Sequence, residues 1–226
     1  MSQNNLRSHG RGENLKTAIA ATAARHIAEE GCDYGTAKRR AARELLGDGA
    51  APASAIPDNL AVESELRRYL RLFAADTQPG ELAALRRLAL VWMRRLAAFD
   101  PHLVGAVLNG TATAHSPVLL NLYADSAKDV EMLLLNRHQP FDVTEPASHA
   151  ETLLEALHLE VPAPPGSPLA QRVALVLSVM DPRALRVAPP GRPKDPELHP
   201  VERSGRASLA MVERLLAETG AGGAVD

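Results

Sequence analysis

Cysteine is all but missing from this chain, and that excludes a good deal. Its single thiol, Cys32, rules out an intramolecular disulfide and any metal site built from several thiolates. Aromatic residues are scarce too, at 3%, so a run of stacking platforms for successive bases is not available. Net charge is only −2, too small for a global field to argue for or against a polyanionic partner. No apolar run reaches transmembrane length without charge, and the start, MSQNNLRSHGRGENLK, lacks the apolar core of a signal peptide. The expectation is a soluble cytoplasmic protein in a reducing compartment. At 226 residues the chain can bury a sizeable core in one large domain or two small ones.

The first half reads as helices. Residues 1–13 are polar and read as a disordered arm. From Leu15 to Glu30, Ile19, Ala23 and Ile27 recur at helical spacing, and Gly31 is a stop signal. Asp33 or Thr36 can cap a second helix that Gly47 ends, with Ala37, Ala41 and Leu45 on its apolar side. Residues 14–47 thus form a helical module, and the Gly-, Ala- and Pro-rich residues 48–57 a linker. Asp58 caps a third helix with the stripe Val62, Leu66, Tyr69 and Phe73. Pro79 and Glu81 suit the first turn of a fourth, down which Leu85, Leu88, Trp92, Leu96 and Phe99 repeat until Pro101.

Beyond Pro101 the period changes. Leu103–Leu108 and Val118–Tyr123 are short, apolar and bounded by turn residues, as strands are. Ser126 caps a helix to about Arg137, and Phe141–Thr144 reads as a third strand. Residues 148–161 allow two readings. Ser148 with Glu151 resembles a capping box, while Leu157, Leu159 and Val161 alternate with His158 and Glu160 as a strand would. A strand over the second half is the expectation. Val173–Val179 is a further strand, residues 182–200 a proline-rich loop, Ala207–Glu218 a helix, and residues 219–226 a flexible tail.

The stretch LVGAVLNGTATAHSPVLLNLY, Leu103 to Tyr123, carries the sharpest signal. An apolar run ends at Asn109-Gly110-Thr111, and a second begins at Pro117. This layout, within 81–180, resembles the polymerase-beta-type nucleotidyltransferases. The pieces ARHIAEEGCDYGTAKRRAARELLG, IPDNLAVESELRRYLRLF and LNGTATAHSPVLLNLYADSAKDVEMLLLNR resemble a group of proteobacterial proteins with such a core. The resemblance implies an α+β fold, with a mixed β-sheet packed with helices over residues 58–218 and an α-helical region before it. It implies substrate phosphates beside Gly110, Thr111, His115 and Ser116. It also implies two metal-binding acids after the serine, and here Pro117 and Leu119 stand in their places. Hard Mg²⁺ takes oxygen ligands, which neither side chain has. The expectation is therefore a degenerate enzyme with no cofactor and a nucleotide- or partner-binding, regulatory role. An active nucleotidyltransferase would need Mg²⁺ and displaced acids such as Asp125 and Asp142. No Gly-rich phosphate loop ending in Gly-Lys-Ser/Thr occurs to support a ligase.

A third reading rests on arginine. Arg67, Arg68 and Arg71, then Arg86, Arg87, Arg94 and Arg95, lie on two consecutive helices, and Lys38–Arg43 adds another cluster. Arginine forks suit phosphate, so a helical module associated with nucleic acid is possible chemistry. Solvated helix faces paired with Glu63, Glu65 and Glu81 are the plainer reading of each cluster. No histidine pair has the spacing of a zinc site.

Overall fold

A computed structural model describes residues 3–47, 49, 51–144, 152–189 and 198–221, with side chains from residue 13 to residue 220 among them. The chain forms two compact units, Met1–Gln78 and Pro79–Asp226.

The first unit is helical: α1 (Gln3–Glu30), α2 (Tyr34–Leu46) and α3 (Asn59–Phe73). Each boundary has a local cause. Gly31, at φ 68°, closes α1 with an N–H bond to Ile27 O. The Asp33 carboxylate accepts from the Thr36 amide at 3.0 Å, and Asp58 accepts from the Ala61 amide at 2.8 Å, capping α2 and α3. Gly47, at φ 69°, stops α2. Ile19, Ala20, Ala23 and Ala24 of α1 bury against Ala37, Ala41 and Ala42 of α2 and Val62, Leu66 and Leu70 of α3.

Four details depart from the sequence reading. Helix α1 starts at Gln3, so residues 3–13 are helical rather than an arm; the first proline is Pro52, and none breaks the run. The 48–57 segment is not a free tether over its described part. Ala53–Ala55 form a 3₁₀ turn that buries Ala55, and Pro57 O accepts from Lys38 Nζ. As a result α3 belongs with α1 and α2, and the units divide after Gln78. Leu45 is exposed, and Ala42 takes the inward place. On α3, Leu70 follows Val62 and Leu66 at four-residue steps, which leaves Phe73 at 71% exposure. Tyr69 is only half-buried, its hydroxyl donating to Glu29 Oε1 at 2.6 Å.

The second unit is α+β. It comprises α4 (Gln78–Arg95), β1 (His102–Val104), α5 (Gly105–Asn109), β2 (Val118–Tyr123), α6 (Ala127–Asn136), β3 (Asp142–Thr144), β4 (Leu153–Pro162), β5 (Arg172–Met180), β6 (Ala207–Ser208) and α7 (Leu209–Ala221). The sheet order is β3-β4-β5-β2-β1-β6, with β2 and β5 parallel and the other neighbours antiparallel. Strand alternation sends Val118, Leu120 and Leu122, Leu157, Leu159 and Val161, and Val173, Leu175, Leu177 and Val179 to one face. There they meet Leu85, Trp92 and Met93 of α4, Val130 and Leu134 of α6, and Val212 and Leu215 of α7 in one cluster. The strand expected over the second half of 148–161 forms, but β4 begins earlier than that, at Leu153, while Ser148 and Glu151 lie outside the described residues.

Several expectations fail here. Helix α4 ends at Arg95 and leaves Ala97–Phe99 as a 3₁₀ turn. Pro182–Arg186 is a 3₁₀ helix within the expected loop, and α7 runs on to Ala221 into the expected tail. Residues 105–108 are helical, not strand: Gly105 takes φ 71° and turns the chain out of the sheet after three paired residues. The expected terminal helix starts at Leu209, because Ala207 and Ser208 pair with β1 instead.

Candidate functional site

The Gly-Thr turn closes α5. Gly110, at φ 86°, is the left-handed cap, a conformation glycine adopts without strain. Both its amide and that of Thr111 donate to Ala106 O. The Thr111 amide and hydroxyl also donate to Asn109 Oδ1, at 3.0 and 2.7 Å. Ser116 Oγ accepts from the Thr113 amide at 3.0 Å, while the Ser116 amide donates to Thr113 O. Glu81, near the start of α4, reaches the loop and accepts from the Ala114 amide at 2.8 Å. Residues 109–116 are thus stapled by their own polar groups and one internal carboxylate. His115 is exposed on this loop. Sequence reasoning missed Thr113, whose buried Oγ1 has no hydrogen-bond partner, and no motif marks it.

Arg86 is the residue that fixes α5 in place. It is only 3% exposed, its Nε donating to Val107 O at 3.0 Å and its Nη2 to Leu108 O at 3.2 Å. These carbonyls end a one-turn helix and have no intrahelical partner. The same Nη2 pairs with Glu202 Oε1 at 2.6 Å. Arg86 therefore serves the fold, and its burial corrects its place among the surface arginines. Arg67 is likewise engaged, with Glu63 at 2.7 Å, and Arg68 lies 3.7 Å from Glu65. Arg71 and Arg87 are exposed.

No protein-family model, curated protein or solved structure matches this chain.

The positions of the expected acids do not fit a divalent cation. Pro117 precedes β2, and Leu119 points towards Gly105, whose added Cβ would lie 2.8 Å from Leu119 Cδ1. Asp125 is exposed beyond the end of β2, more than about 13 Å along the strand from Leu119 at the usual rise per residue. Asp142 lies in the row Asp142–His158–Val176–Leu119, three strand spacings or about 14 Å from Leu119. Two acids that share one ion must sit within a few ångströms of each other. Among the described residues there is no group of three or more His, Cys, Asp or Glu able to hold a metal. Nor is any described helix long and apolar enough to cross a membrane. A cavity of about 250 Å³ lies over β3, β4 and β5, lined by Asp142, His158, Glu160, Arg172 and Val176 among others. Arg172 donates to Glu160 O.

Proposed function

We propose that this chain is a catalytically inactive, nucleotidyltransferase-like binding protein with a regulatory role, in which the helical unit supplies the interaction surface. The observation that carries the reading is Leu119. It stands at the sheet position where the resemblance expects an acid, and its hydrocarbon side chain lies against Gly105. Phosphoryl transfer of this kind depends on cations that neutralise the phosphates, and the residues here supply no oxygen for them. The committed amides of residues 110–116 support a structural role for the Gly-Thr turn, so that a ligand's phosphate has few free donors to meet there.

Incubation with each labelled nucleoside triphosphate and Mg²⁺ is expected to transfer nothing to protein, RNA or small acceptors. Transfer that Asp125→Ala abolishes would overturn the proposal. Thermal stability separates the readings in a second way, because an active enzyme requires a triphosphate shift that depends on Mg²⁺. Pro117→Asp combined with Leu119→Asp tests the register: Mg²⁺ binding gained by this variant would place both side chains on the family's metal positions.

A further inference from the structure

Strands β4 and β5 pair as far as Pro162 and Arg172, but their outer neighbours stop short. Strand β3 begins at Asp142, opposite His158, and β2 at Val118, opposite Leu175. The two strands thus project beyond the sheet as a ribbon, and the cavity of about 250 Å³ lies at its root. Leu159, Val161, Val173 and Leu175 face the core, so His158, Glu160, Arg172, Ala174 and Val176 alternate onto the opposite face. Ala174 and Val176 give the cavity apolar surface, and the small Ala174 leaves room between its longer neighbours.

Charges of both signs line this cavity. The Arg172 guanidinium is tied to Glu160 by its bond to the backbone oxygen. Asp142 is the cross-strand partner of His158, one two-residue step back along β4 from Glu160, or about 7 Å. The Glu160 side chain adds a second carboxylate. Among the described residues no ion pair joins Arg172 or His158 to either acid. All four residues are exposed, so the rim is open to solvent.

We infer that this cavity binds a free α-amino acid with an apolar side chain. Its carboxylate takes charge-assisted hydrogen bonds from the Arg172 fork, and its ammonium donates to Asp142 and Glu160. Hydrogen bonds of ~2.9 Å on either side of the ligand's two charged groups bridge a gap of about 7 Å. The side chain lies on Ala174 and Val176. The volume falls below that of most drug-sized sites and suits a molecule of amino-acid size. A phosphate would face two carboxylates with one arginine to offset them, and a lone cation would meet that arginine, so a ligand bearing both charges matches best. The inference concerns the sheet unit and goes beyond the proposed function, since it needs neither the family's metal positions nor the helical surface.

The test is calorimetric titration of the full chain with leucine, phenylalanine and alanine, and with two leucine derivatives, each lacking one charge. Circular dichroism checks the fold of each variant. Leucinamide, without the carboxylate, and N-acetyl-leucine, without the ammonium, should each bind at least about tenfold more weakly than leucine. Arg172→Gln should weaken leucine by at least about tenfold yet leave leucinamide within about twofold, because the amide never used the arginine's charge. Asp142→Asn with Glu160→Gln should do the same to leucine while sparing N-acetyl-leucine. Ala174→Leu, which fills the floor, should abolish binding of all three amino acids. Arg94→Gln, which changes an exposed arginine paired with Glu213, should stay within about twofold of the native protein. No binding of any of the three amino acids at about 10 mM would overturn the inference. So would derivatives that bind as tightly as leucine, or leucine binding indifferent to the Arg172 and Asp142 variants. None of these outcomes bears on Mg²⁺-dependent transfer, so failure here is separable from failure of the proposed function.

Discussion

The two units are held together by different means. Alanine supplies seven of the twelve buried side chains in the helical cluster but five of twenty-eight in the sheet cluster. Each alanine removes little apolar surface from water, so the helices gain close approach and less hydrophobic stabilisation per buried residue. In the sheet unit, Leu, Val, Met and Trp fill the same role with far more area. The polar contacts differ as well. Among the described residues the helical unit links Arg25, Glu44, His26, Glu30 and Arg40 in a chain of partly exposed ion pairs beside the more buried Arg67–Glu63, whereas the sheet unit buries Arg86–Glu202 and carries isolated exposed pairs such as Arg94–Glu213. A packed core dominates one unit, and small-residue packing with surface electrostatics the other.

The largest test of that contrast is Trp92→Ala. Trp92 is 4% exposed in the sheet cluster, and its truncation should cost about 3–5 kcal/mol in urea unfolding. A loss under about 1 kcal/mol would mean that α4 does not anchor the core. Arg86→Ala should cost about as much, since it leaves Glu202 and the carbonyls of Val107 and Leu108 without their donor in a buried setting. Its signature is local as well: amide exchange in α5 should speed up before that in β4 and β5.

The helical unit should respond more to added volume. Ala41 is fully buried between helices that approach through small residues. Ala41→Leu should therefore cost about 1–3 kcal/mol by overpacking. Tolerance of the leucine would show that the helices are loosely apposed and would weaken the comparison.

Much of this was legible in the sequence where one local rule governs. Asp33, Asp58 and Ser126 cap the helices they were expected to cap, because each offers a side-chain oxygen just before an apolar period begins. The stripe of α4 from Leu85 to Trp92, though not its expected continuation to Phe99, and the alternation in β4 and β5 followed from their periods alone. Three things were hidden. Residues 105–108 are apolar enough for a strand, and only the positive φ of Gly105 sends them into a helical turn. Arg86 lay in a row of arginines, and nothing in its neighbours announced the carbonyls 21 and 22 residues away. Ala42 takes the inward place that helical spacing gives Leu45, because which side chains face α1 and α3 depends on the packing of the helices.

The smallest expected effect is electrostatic: Lys128 lowers the pKa of the Glu131 carboxyl on α6, but three such carboxyls, Asp33, Glu30 and Glu44, lie in the helical unit, where the effect should be larger. The hydrogen bond from His26 and the charge of Arg40 hold the Glu30 carboxyl below its ordinary value of 4.5. Arg25, then His26, do the same for Glu44. A carboxyl whose pKa is lower in the folded state stabilises that state above the ordinary carboxylate pKa, and the contribution fades as pH falls through the folded value. Protection of α1 and α2 amides against exchange should therefore decline as pH drops below about 4.5, after correction for intrinsic rates. The slope should flatten in Glu30→Gln with Glu44→Gln, since neither amide titrates. It should also shrink in high salt, because the pairs are partly exposed and screening reaches them. An equal decline in the buried strands β4 and β5, or a slope unchanged in the double variant, would show that these ion pairs contribute nothing specific. The helical unit would then depend on its alanine-rich packing alone.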